Sequence, residues 1–100
     1  MSITGANLTL FVTGDAPRSR RARANLARIL EAAGQDATAV VEVDLLGAPQ
    51  QALDHGIFAS PALMIVPSEG EASVMYGDLS DEDRVARFLG LGKHAWPDRQ

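Results

Sequence analysis

The segment Ile57-Phe58-Ala59-Ser60-Pro61-Ala62-Leu63, with the Gly77-Asp78-Leu79-Ser80 that follows it, constrains this chain more than any other feature. Ser60-Pro61 opens the apolar run Leu63-Met64-Ile65-Val66, which reads as a strand with a proline at its mouth. Pro67-Ser68-Glu69-Gly70-Glu71 is turn chemistry, and Ala72-Ser73-Val74-Met75-Tyr76 lies close enough behind it to return as the second arm of a hairpin. Only about 5–6% of X-Pro bonds in folded proteins are cis. In this setting Pro61 is expected to be one of them, and the Ser60 backbone beside it to be open to pairing with an extended peptide.

The rest of the chain supplies the elements such a hairpin needs. Leu8-Thr9-Leu10-Phe11-Val12 reads as a first strand ending in the turn Thr13-Gly14-Asp15. From Pro17 to about Ala33 the pattern becomes helical, with Ala22, Leu26, Ile29, Leu30 and Ala33 on one side and Arg21 and Arg28 on the other. Proline suits the first helical turn, where its missing N–H has no intrahelical acceptor, and Gly34 is a suitable stop. Thr38 to Asp44 is β-branched and reads as a second strand, parallel to the first; strand, helix and strand form a right-handed crossover. Pro49 to His55 suits a short helix ended by Gly56. Asp81 to Leu91 is expected to be the last helix, capped by the Ser80 hydroxyl on the Asp83 N–H, with Val85, Phe88 and Leu89 buried. Asp81, Glu82 and Asp83 then lie at the positive end of its dipole, which accounts for them without an acid–base site.

Composition narrows the chemistry. One hundred residues make one domain, divided here into an N-terminal tail (1–7), a folded body (8–92) and a C-terminal tail (93–100). The absence of cysteine excludes disulfides, thiolate metal sites and CxxC redox chemistry, and fits a cytoplasmic protein. The N-terminus lacks a signal-peptide pattern, and no apolar run approaches the roughly 20 residues that span a bilayer. A net charge of −4 disfavours nonspecific nucleic-acid binding. Cations nonetheless gather at Arg18, Arg20, Arg21, Arg23 and Arg28, either as a solvated helix face or as a face that docks an acidic partner. His55 and His94 lack metal-ligand spacing, no serine has a catalytic context, and Trp96 sits in the tail. No cofactor is expected.

The resulting order, β-α-β-α-β-β-α with a central mixed four-stranded sheet, resembles the thioredoxin arrangement. In a thioredoxin the residues after the first strand carry the reactive cysteines at the helix N-terminus. Here that register holds Asp15-Ala16-Pro17-Arg18, so the frame lacks its nucleophile. Asp15 can be a helix cap and Arg18 a surface charge, or both can face a partner.

The chain also resembles the circadian clock protein KaiB family, from about Leu8 to Leu91. The resemblance rests on Leu10-Phe11-Val12 with Gly14, Pro17 and Ser19, and on Arg21-Ala22 with Leu26 and Ile29-Leu30-Glu31. It continues through Val43-Asp44, Pro49-Gln50 with Ala52, Ile57, Ala59-Ser60-Pro61, Leu63 and Gly77-Asp78-Leu79-Ser80. It implies a non-enzymatic adaptor that binds the hexameric ATPase KaiC and antagonises KaiA, or a relative of a clock-output histidine kinase's sensor domain. Some members interconvert with a second, tetramer-associated fold, and relatives outside full clocks are linked to stress responses. Gly47, Gly56 and Ile65 stand where lysines are usual in the cyanobacterial pattern, and Arg21 is the clearly retained basic contact residue. A divergent member of a reduced KaiB–KaiC system is the expected reading.

The expected partner surface comprises Arg21, Arg28, Asp15, Arg18 and Ser60, for a KaiC-like ATPase or a histidine kinase, with self-association open. The competing reading is a cysteine-less thioredoxin-fold enzyme that binds glutathione or a peptide in the cleft beside Pro61.

Overall fold

The computed structural model describes residues 7–91. Its sheet has the order β2-β1-β3-β4, from β1 (Asn7–Val12), β2 (Val41–Asp44), β3 (Ala62–Val66) and β4 (Ser73–Tyr76). β1 runs parallel to β2, Thr9 opposite Val41 and Val12 opposite Asp44. β3 is antiparallel to both neighbours, with Leu63 opposite Leu10 on one side and Met75 on the other. The parallel pair requires a crossover, and α1 (Pro17–Ala32) supplies it. The thioredoxin-like expectation holds, and Arg84 to Leu89, which would be the critical stretch for another fold, is helical within α3 (Glu82–Leu89).

Alternation along the strands divides the core in two. Leu8, Leu10 and Val12 of β1 face Ala22, Leu26, Ile29 and Leu30 of α1 and Val85, Ala86 and Leu89 of α3. Phe11 points the other way, into a smaller cluster with Val43, Ala62, Met64, Ile57 and Ala52 of α2 (Pro49–Asp54). The long α1 and the shorter α3 cover one face, and α2 covers the other. Leu46, Leu53, Phe58, Val41 and Tyr76 are left exposed.

Several boundaries depart from the sequence reading for local reasons. Asn7, assigned to the tail, begins β1 opposite Val66. The second strand starts at Val41 rather than Thr38, because Asp36 accepts from the Thr38 N–H at 2.9 Å and its hydroxyl at 2.6 Å, folding Ala37–Ala39 into a 3-10 turn. A side chain that bonds the backbone this way competes with the ladder. The cap of α3 is Asp81, whose Oδ1 accepts from the Arg84 N–H at 3.2 Å; Ser80 is not the cap. Asp15 does not cap α1 either: Ala16 holds that position without a side-chain bond. In α3, Ala86 joins the buried stripe and Phe88 is only half-buried. Gly34, Gly56 and Gly90 follow their helices with φ of 75°, 71° and 75°. Gly92, His94 and Trp96 lie outside the described residues.

Candidate functional site

Asp15, Arg18, Ser60 and Pro61 lie at one end of the sheet, where β1 leaves and β3 begins, whereas Arg28 lies further along α1. Ser60–Pro61 is a cis peptide bond. The hydroxyls of Ser60 and Thr13 form a short hydrogen bond that joins the approach to β3 to the exit of β1. The Thr13 N–H in turn donates to Ser19 Oγ at 3.0 Å, so this buried serine anchors the loop onto α1. Ser19 had no assigned role in the sequence reading; its place one helical turn below an apolar position was the available signal. On the far side the Gly77 N–H donates to the Pro61 carbonyl at 3.0 Å, extending the β3–β4 pairing to the site.

A second set of bonds shapes the turn at the start of α1. Asp44 Oδ1 accepts from the Gly14 N–H at 3.0 Å and the Leu46 N–H at 2.9 Å. These two donors, Leu46 first, hold the Asp44 carboxyl below its ordinary value of 3.8. Gly14 is confined here with φ 49°, its would-be Cβ 3.1 Å from the Leu46 side chain. Arg23 closes the turn: its Nε donates to both Glu42 oxygens at 3.0 and 2.9 Å and its Nη2 to the Gly14 carbonyl at 3.1 Å. Asp15, mostly exposed, reaches Arg23 at 3.4 Å.

Arg21 and Arg28, the two cations expected to face a partner, are engaged within the chain. Arg21 Nε donates to Asp78 Oδ2 at 3.1 Å, and Asn25 Nδ2 to the Asp78 carbonyl at 2.8 Å. Arg28 donates to Glu82 Oε2 from Nε at 2.9 Å and Nη2 at 2.6 Å. Together they clasp α1 to the β4–α3 turn and to α3. Ser80, mainly through its hydroxyl, and then Arg21 hold the Asp78 carboxyl below its ordinary range. Arg18 is different: it makes no ion pair among the described residues. It lines a shallow cleft of about 110 Å³ with Tyr76, Gly77, Asp78, Asp81 and Arg84.

No cluster of metal-binding side chains occurs among the described residues, and no described helix is long and apolar enough to cross a membrane. The end of the sheet offers exposed Leu46, Phe58 and Tyr76 near Arg18 and Arg84, two cations with no ion pair among the described residues. That combination suits contact with another macromolecule.

The fold is shared with thioredoxins. Yeast mitochondrial thioredoxin 3 superposes with a TM-score of 0.69 at 13% identity, over 86% of this chain and 77% of the other. Thioredoxin of Fasciola hepatica does so with 0.67 at 12% identity, over 85% and 78%. Sequence similarity points to a different group of proteins. The circadian clock oscillator protein KaiB of Acaryochloris marina is 40% identical over 84 residues, 84% of this chain and 80% of that protein. Its namesake in Nostoc punctiforme is 37% identical over the same shares. Residues 9–91 match the KaiB domain model, and the chain belongs to the KaiB family.

Proposed function

We propose that this protein is a non-enzymatic regulatory adaptor of the clock type, which binds a KaiC-like ATPase. The observation that carries the reading is family membership joined to a thioredoxin-like frame in which Asp15 and Arg18 occupy the cysteine places. Thiol–disulfide exchange proceeds through a thiolate and a mixed disulfide, and this chain has no cysteine to form either. What the frame retains is a surface of exposed apolar side chains near two cations without ion pairs among the described residues, suited to a protein partner. A histidine kinase is the second partner class, and stress signalling an alternative setting for the same adaptor role.

The test is complex formation between the full chain and the KaiC-type ATPase of the same genome, with and without nucleotide, followed by native mass spectrometry. A stoichiometric complex is expected. Failure to bind that ATPase, combined with capture of a histidine kinase alone, redirects the reading to the kinase. An insulin-reduction assay and glutathione titration address the enzyme alternative, and activity above blank in purified protein would overturn the adaptor.

A further inference from the structure

The sheet ends in two edges that are defended unequally. β2 at one edge reads Val-Glu-Val-Asp, and β4 at the other reads Ser-Val-Met-Tyr. Charged side chains along an edge strand discourage pairing with another chain, and a strand without charge, proline or bulge lacks that protection. Among the described residues nothing pairs with the outer side of β4.

The β3–β4 ladder fixes what that side offers. The Gly77 N–H donates to the Pro61 carbonyl, which makes Pro61 and Gly77 a hydrogen-bonded pair. Such pairs alternate along an antiparallel ladder, so Met75 and Ser73, opposite Leu63 and Ile65, turn their N–H and C=O groups towards β3. Val74 and Tyr76 therefore turn theirs outward. Their side chains share the α2 face, where Val74 is half-buried and Tyr76 is 44% exposed.

Two such strands complete each other. A second copy, related by a twofold axis normal to the sheet at Met75, sets its Tyr76 opposite Val74 and its Val74 opposite Tyr76. Both members of each pair have outward N–H and C=O groups, so the two pairs exchange backbone hydrogen bonds reciprocally. On the α2 face each pair joins a β-branched side chain to an aromatic ring. Neither flanking acid meets another, since the register sets Glu71 opposite Leu79 and Asp78 opposite Ala72. The same axis runs α3 antiparallel to its copy on the other face. The acidic first turn of each, Glu82 and Asp83, is then directed towards the Arg87 end of the other.

We propose that the protein forms an isologous dimer through β4, in which two four-stranded sheets join into one of eight strands. The inference does not depend on the adaptor reading, since it concerns contact between copies of this chain.

Sedimentation velocity of the full chain from micromolar to millimolar concentration should show a monomer–dimer equilibrium, with amide shifts centred on Val74 and Tyr76 as the dimer forms. In a mixture of labelled and unlabelled protein, isotope-filtered contacts should join the Val74 methyls to the Tyr76 ring of the second copy. Val74→Glu and Tyr76→Lys should each weaken dimerisation about fivefold or more, because each removes the apolar cross-strand pairs. Mixing the two variants should restore it to within about twofold, since the register sets the substituted positions opposite each other with opposite charges. Val41→Lys, on the other edge, should change it less than about twofold. A monomer at millimolar concentration overturns the proposal. So does a dimer whose shifts fall on Val41–Asp44, or a mixture no tighter than either variant alone when both give native amide spectra. The wild-type measurements decide the matter by themselves should either variant fail to fold.

Discussion

Arg21 Nε and Asp78 Oδ2, 57 residues apart in sequence, meet at 3.1 Å and tie the first helix to the turn that launches the last. The turn is clasped twice, since Asn25 holds the Asp78 carbonyl at 2.8 Å. Arg21 thus has an internal role whether or not it meets a partner.

Arg21→Glu places a carboxylate beside Asp78 and should lower Tm slightly, by less than about 5 °C, because exposed pairs contribute little and are screened by salt. The Arg21→Glu/Asp78→Arg double variant should recover most of the loss. Thermal melts of the three variants at low and high salt check this; a loss unaffected by charge reversal would show that the ion pair is not its cause.

Core and surface apolar residues should separate cleanly. Leu30 is fully buried between α1 and the sheet, so Leu30→Ala should cost about 2–5 kcal/mol through lost burial and a residual cavity. Phe58→Ala should change stability by no more than about 0.5 kcal/mol, since little surface is buried there. Urea unfolding measures both. A Phe58→Ala cost approaching that of Leu30→Ala would mean that Phe58 is covered in solution, for instance by self-association.

Acid should loosen the structure at its turns. Asp44, Asp78 and Asp36 all titrate below their ordinary 3.8, through the Leu46 and Gly14 N–H groups, through Ser80 and Arg21, and through the Thr38 hydroxyl and N–H respectively. A carboxyl depressed by folding contributes stability that is present above its unfolded pKa and lost as pH falls through the folded value. The loss should therefore begin near about pH 4 and deepen below it. Tm measured from pH 7 to pH 2.5 tests this, and Asp44→Asn should flatten part of the acid limb. An unchanged limb in that variant would remove Asp44 from the account.

Gly34 follows α1 with φ 75° and nothing near its would-be Cβ, so Gly34→Ala should carry backbone strain alone, roughly 1 kcal/mol. Gly14→Ala, at φ 49°, adds crowding against Leu46 and should cost at least as much. Denaturant melts of the pair should rank them in that order; the reverse ranking would show that Leu46 moves aside freely.

How far the primary structure carries the argument depends on the range of the interactions involved. The α1 stripe of Ala22, Leu26, Ile29 and Leu30 was legible because helical periodicity is a local property, and so were the glycine stops and the strand-like runs of β1, β3 and β4. The order of these elements, with the short motifs around Ser60-Pro61 and Gly77-Asp78-Leu79-Ser80, sufficed for the thioredoxin-like fold and the family. The absence of cysteine needed no structure at all. Ends were less legible: Asp36 and Asp81 displaced the expected strand start and helix cap, because each carboxylate takes a backbone N–H two or three residues on, at Thr38 and Arg84. Only the tertiary structure decided how the basic cluster is used. Arg21, Arg23 and Arg28 look alike in sequence to Arg18, yet the crossover of α1 brings Asp78, Glu42 and Glu82 to three of them and leaves Arg18 over an open cleft. Charge pairing across 19 to 57 residues is set by how helices pack on a sheet, and no local pattern encodes it.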